Sequence, residues 1–171
     1  QEAWVTRESD VKIHVPWFMT EAIEEVAFAA RKSEFLDQSS GVSARLPISL
    51  LENVISNAER RGLITGEPEV CARPIDLQPA ISAVTGKVEL VYQGEQEGAA
   101  NVARHLVGAG LRAVFDRHLP DPNAGDDTDV FGPYKPIVDH FNSGSKVELS
   151  DQATSREVVQ ALKRVKGLEP L

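Results

Sequence analysis

One segment restricts the fold of this chain more than any other: SGVSARLPISLLENVISNAERRGL, from Ser40 to Leu63. Ile48, Leu51, Ile55 and Ala58 recur at the spacing of one helical face, Pro47 suits a first turn, and Gly62 supplies a stop. The pattern predicts an amphipathic helix that starts at Arg45 and runs to about Arg61. A cation at a helix N-terminus opposes the helix dipole, so Arg45 gains nothing locally. It is better placed to meet an external anion, such as a nucleotide phosphate, beside the free N–H groups.

Around this helix the spacing of apolar residues predicts three more. Pro16 opens the first, with Phe18, Ala22, Ile23, Val26, Ala27 and Ala30 on its buried face and an end near Phe35. A polar loop, Leu36 to Ala44, turns at Gly41 and leads to Arg45. Asp76 is a fitting N-cap for a third helix with Pro79 in its first turn. Leu77, Ile81, Val84, Val88 and Val91 then extend it through Gly86, although the alternation in KVELVY also suits a strand. A polar turn, Gln93 to Gly98, precedes a fourth helix from Ala99 to about His118, with Val102, Leu106, Ala109 and Ala113 on one face.

The segment 1–14 shows no sustained period and is expected to be a lead-in, and residues 15–119 form the helical domain. Residues 120–135 are an acidic Pro/Gly linker, and 136–171 form a small C-terminal module. In that module Pro136–Phe141 suggests a helical turn and Lys146–Leu149 a short strand. Thr154 and Glu157 suggest a capping box for a last helix through Val165. The expected fold class is mainly α: an antiparallel helical bundle with a small C-terminal α/β appendage.

The SGVSAR-helix pattern followed by DLQPAISAVTGKVELVYQGEQEG, Asp76 to Gly98, resembles the C-terminal part of AAA+ ATPases of the magnesium-chelatase ATPase-subunit type, close to the MoxR group. The resemblance spans roughly Val15 to Leu119. It implies a helical lid that lies over ATP and magnesium held by an upstream α/β domain. Arg45 stands at the position of the sensor-2 arginine that reaches the γ-phosphate. It further implies a hexameric ring, a partner protein with a von Willebrand A type domain, and metal insertion or protein remodelling as the output. A P-loop needs a glycine, four residues, then Gly-Lys-Ser/Thr. The one Gly-Lys pair, Gly86-Lys87, is preceded at that distance by Ile81 and followed by Val88. No apolar run ends in paired acids as a Walker B strand would. The chain alone is therefore expected neither to hold ATP nor to hydrolyse it, and Gln1 with a sole Met19 reads as a C-terminal fragment of a longer protein.

Composition narrows the other classes. With 171 residues and 42% hydrophobic content the chain can bury a core. A net charge of -8 disfavours nucleic acid as a partner, because phosphate binding needs clustered cations. No run approaches a membrane span, and no signal peptide is visible. Cys71 is the sole cysteine, which fits a cytoplasmic protein.

Other candidate residues have plainer readings. Glu95 and Glu97, in the expected polar turn, are candidates for contact with a neighbouring subunit. Arg60 and Arg61 suit a helix C-terminus, where the dipole favours cations. Asp121, Asn123, Asp126, Asp127 and Asp129 fail the spacing of a calcium loop, with Asp126 where a glycine is required and Gly132 where a glutamate is. His14, His105, His118 and His140 have no zinc-site spacing, and Cys71 has no histidine near it in sequence. Trp4 and Trp17 flank the opening segment as candidates for a protein contact, with packing of Trp17 against the helical core the commoner outcome. The alternative function is a helical protein-interaction module of a regulator with no nucleotide contact.

Overall fold

A computed structural model describes the backbone of residues 3–6 and all of residues 9–122 and 131–169. The chain is mainly helical. It divides into two compact units, Gln1–Val114 and Phe115–Leu171.

The first unit opens with β structure. Strand β1 (Ala3–Thr6) runs antiparallel to β2 (Lys12–Val15), with Ala3 opposite Val15 and Thr6 opposite Lys12. Strand β3 (Glu69–Cys71) joins β2 in parallel, pairing His14 with Cys71. Strand β1 and most of β2 thus fall within the expected lead-in without period. Val11, Ile13 and Val15 alternate inward while Lys12 faces out, a short pattern that composition alone does not separate from a loop.

Helix α1 (Trp17–Lys32) buries Met19, Ala22, Ile23, Val26, Ala27 and Ala30. It stops short of Phe35 because Ser33 turns to an extended conformation and the chain pairs Leu36 with Leu90 in an isolated antiparallel bridge. Helix α2 (Leu46–Thr65) carries Pro47 in its first turn. It passes through Gly62 and ends at Gly66, which is left-handed with φ of 72°. Gly62 serves close packing instead: a Cβ there would lie 2.8 Å from Val11 Cγ1 and 3.0 Å from Val70 Cγ1, against the sheet. The buried face is Leu46, Leu50, Val54, Ile55, Ala58, Arg61 and Gly62, so the expected face is corrected. Ile48 is 58% exposed, and Leu51 is only half-buried. The helix carries two overlapping apolar stripes, and the one containing Leu46 and Leu50 meets the core.

The expected third helix is broken into pieces. A 3-10 turn covers Pro74–Leu77, helix α3 is Ile81–Thr85, Gly86 and Lys87 form a turn, and the chain then runs without helix through the Leu90 bridge to an extended Val91 before helix α4 (Tyr92–Glu97). Gly86 ends α3, and the strand-like alternation of KVELVY is realised at the Leu90 bridge. The expected turn from Gln93 is therefore helical through Glu97, and Gly98 is the C-cap of α4. Gly94 is buried, and a Cβ on it would collide with the Phe35 carbonyl oxygen. Helix α5 (Ala99–His118) has the expected span. Its buried residues are Val102, Ala103, Leu106, Val107, Gly110 and Val114, while Ala109 is exposed. At Gly110 the backbone of α1 comes so near that a Cβ would lie 2.6 Å from Val26 Cγ2 and 2.8 Å from the Ala22 carbonyl oxygen.

In the second unit a 3-10 turn (Gly132–Tyr134) leads into helix α6 (Lys135–Asn142), and helix α7 covers Ser155–Leu162. Phe115 stacks on Tyr134 at 5.8 Å, and the Tyr134 hydroxyl donates to the Pro120 carbonyl at 2.8 Å. Thr154 Oγ1 accepts the Glu157 N–H at 3.2 Å, and the Glu157 carboxylate accepts the Thr154 N–H at 2.8 Å, which closes the capping box. The expected strand at Lys146–Leu149 does not form, and the described residues of this unit contain no strand, so the appendage is helical. Asn123, Asp126, Asp127 and Asp129 lie outside the described residues, as does the side chain of Trp4.

Candidate functional site

The chain reaches Arg45 through a strap, residues 33–44, fastened at several points. At its root Gln38 Nε2 donates to the carbonyls of Ser33 at 2.9 Å and Ala30 at 3.3 Å, which also accept the backbone N–H groups of Leu36 and Ser33. In the middle, backbone bonds run from Asp37 N to Glu89 O at 2.9 Å and from Val91 N to Phe35 O at 3.1 Å, around the Leu36–Leu90 bridge. Asp37 then organises the turn: its carboxylate accepts the Ser39 N–H at 2.8 Å, the Ser39 hydroxyl at 2.6 Å and the Ser40 hydroxyl at 3.3 Å. The hydrogen bonds from Ser39 are the main cause that holds its carboxyl below the ordinary aspartate range. The single Ser40 hydroxyl proton is shared between this carboxylate and Glu89 Oε2, which is the nearer acceptor at 2.5 Å.

Beyond Gly41, with φ of 69°, Ser43 makes the last tie. Its hydroxyl accepts the Arg45 N–H at 3.2 Å and its carbonyl accepts the Leu46 N–H at 3.0 Å. Arg45 occupies the N-cap position of α2, with its carbonyl accepting from Ser49 N at 2.9 Å. Its side chain is exposed, and among the described residues it forms no ion pair, with Glu52 and Asp37 included. A cleft of about 410 Å³ opens between Ser40–Ser43 and Gly86–Glu89, immediately before Arg45 in the chain. Glu95 is exposed and Glu97 half-buried on α4, so these acids and Arg45 stand on separate elements.

Two arrangements escape a linear reading. Arg61, read from sequence as a cation near a helix C-terminus, is 3% exposed, and Asp76, expected as an N-cap, is 1% exposed. They form a two-pronged ion pair: Arg61 Nη1 donates to Asp76 Oδ1, and Nη2 donates to Oδ2 at 3.1 Å and to the Cys71 carbonyl at 2.7 Å. Asp76 also accepts from Arg73 N at 2.8 Å and Asn57 Nδ2 at 3.3 Å. Burial, with the Arg61 charge beside it, lowers the Arg73 guanidinium from its ordinary value. The signal available in sequence was the place of Arg61 one turn past Ala58, on the face that Val54 and Ala58 mark as buried.

The second arrangement is Cys71 and His14, 57 residues apart but neighbours across β2 and β3, with Sγ 3.6 Å from Nδ1. The sequence shows no histidine near Cys71, and the parallel strand pairing supplies one. Among the described residues no group of three or more His, Cys, Asp or Glu side chains is arranged to hold a metal ion, and no helix is long and apolar enough to cross a membrane. Compared with known protein families, curated proteins and solved structures, the chain gives no significant match.

Proposed function

We propose that this chain is the lid and coupling module of a magnesium-chelatase-like AAA+ ATPase, with its helices acting as the antiparallel bundle of such a lid. In this proposal an upstream α/β domain binds ATP and magnesium, and the lid closes over them. Arg45 meets the γ-phosphate, and hydrolysis becomes rigid-body motion within a hexameric ring. The observation that carries the proposal is the state of Arg45. It is exposed at the head of a long helix, held by a fastened strap, and has no carboxylate partner among the described residues. An arginine committed to stability would be expected to have a partner, as Arg61 has in Asp76.

The chemistry follows from the guanidinium. Its planar fork of donors matches phosphate oxygens, and its charge offsets the negative charge on the transferring group. Glu95 and Glu97 on α4 would meet the neighbouring subunit. A protein with a von Willebrand A type domain would receive the motion, with metal insertion or protein remodelling as its output.

The test is ATP turnover by the full-length protein that contains this chain. Arg45→Ala should lower kcat by about a hundredfold, the effect of losing ~3 kcal/mol of preorganised charge, with the melting temperature unchanged within a degree or two. Arg45→Lys should recover only part of the rate. Arg60→Ala, an exposed change on the same helix, is the control, because Arg61 is committed to the core. Turnover within twofold of wild type in Arg45→Ala refutes the assignment. The exposed Ile48, Leu63 and Ile64 on α2 favour the second reading, a protein-interaction module without nucleotide. Absence of Walker A and B motifs upstream in the full-length protein would select it.

A further inference from the structure

We infer that Glu89 is a positioning residue for Arg45, acting through Ser40; this rests on the nucleotide-sensing role proposed above. Glu89 grips the strap twice. Its backbone carbonyl accepts the Asp37 N–H at 2.9 Å, and its carboxylate accepts the Ser40 hydroxyl at 2.5 Å. No cation pairs with its carboxylate among the described residues, so the strap hydroxyl is the group it serves. Ser40 is the last strap residue tied to another segment before the chain turns at Gly41, and Arg45 follows closely after it.

From Ser40 onward the path to Arg45 is fixed by the Ser40–Glu89 contact at one end and the Ser43 hydroxyl on the Arg45 N–H at the other. Behind Glu89 the backbone is anchored by the Leu36–Leu90 bridge and by the close seat of Gly94 under the Phe35 carbonyl. The segment 86–94 is thus a clasp within the first unit, with its base held at Leu90 and Gly94, and its tip, Glu89, sets the direction in which the strap delivers the arginine. Orientation is what a sensor requires, since a displacement of about 1 Å at a charge-stabilising group costs up to ~100-fold in rate.

The experiment compares kcat and KM for ATP in the full-length protein for Glu89→Ala, Glu89→Gln, Ser40→Ala and Ser40→Thr, each alone and with Arg45→Ala. Loss of the acceptor (Glu89→Ala) or the donor (Ser40→Ala) should lower kcat roughly five- to tenfold and leave KM for ATP within twofold, as expected for one charge-assisted hydrogen bond in a positioning role. Glu89→Gln and Ser40→Thr keep the acceptor and the donor, and should stay within about twofold of wild type. In the Arg45→Ala background, Glu89→Ala should have no added effect, because a residue that works through Arg45 has nothing left to position.

An undiminished loss in that background, or kcat within twofold for both alanine variants, overturns the inference while leaving a sensitive Arg45 in place. An Arg45→Ala protein with normal turnover removes the sensing role and the inference together. Ser40→Ala, a smaller change on an exposed strap, decides the matter if Glu89→Ala does not fold.

Discussion

Replacing Asp76 by alanine should destabilise the first unit by about 3 to 5 kcal/mol, the usual cost of breaking a buried ion pair from one side. The magnitude follows from what is left behind. Arg61 would remain 3% exposed with its charge opposed only by the Cys71 carbonyl on Nη2. The Arg73 N–H and the Asn57 amide would lose an acceptor as well, and an orphaned buried donor costs ~1 to 3 kcal/mol. These losses overlap, so their sum is not the forecast. Equilibrium unfolding in urea, followed by tryptophan fluorescence, is a suitable assay because Trp4 and Trp17 both belong to the first unit. Two further variants separate the pair from its setting. Arg61→Ala should also be strongly destabilising, while the double replacement Arg61→Met with Asp76→Leu should recover much of the loss, since apolar packing often matches a buried ion pair. A cost below about 1 kcal/mol for Asp76→Ala, the level of an ordinary surface change, would refute the claim that Arg61 depends on it.

Leu50→Ala should cost about 2 to 5 kcal/mol and Leu51→Ala clearly less, because only Leu50 is fully buried; equal losses in urea unfolding would contradict the orientation of α2. Gly110→Ala should lower the melting temperature despite the better helix propensity of alanine. The new Cβ must push Val26 and the Ala22 carbonyl aside, an overpacking cost of about 1 to 3 kcal/mol against a propensity gain of about 1. A rise in melting temperature would show that the two helices have room. Glu157 is held below its ordinary value by the Thr154 N–H and hydroxyl, so its small contribution is present above the unfolded carboxyl range and is lost as pH falls through the depressed folded value. Thr154→Ala should therefore raise the Glu157 midpoint in an NMR titration, and an unmoved midpoint would show that the cap does not tune it.

The long helices were legible because periodicity averages over many turns: α5 has the span read from sequence, and α2 starts within one residue of it. What failed was local. The face of α2 could not be chosen when Ile48 and Leu51 compete with Leu46 and Leu50, since either stripe closes a helical repeat and only the neighbours decide. Strands β1 to β3 are too short for alternation to stand out. Gly62 looked like a stop and Gly86 like an interior residue, yet their roles are reversed, because one is required by Val11 beside it and the other by the bridge that follows. At the candidate site the place of Arg45 at the head of a helix was readable. Its fastening was not, since the Ser40–Glu89 and Asp37–Glu89 contacts join residues some fifty positions apart through a bridge that no spacing announces.

The seat of Gly94 beneath the Phe35 carbonyl has a consequence for genetics. In a saturation library every substitution at Gly94 should be depleted as severely as a change in the core, while Gln93, Glu95 and Gln96 around it, all exposed, tolerate most alternatives. The profile would show one silent column inside a permissive hydrophilic stretch, the signature usually credited to an active-site residue. Here it would report the absence of room for a single carbon atom. Depletion at Gly94 should be matched by falling protein abundance in the cell, whereas under the sensing role proposed for Arg45 its variants should accumulate normally and lose turnover alone.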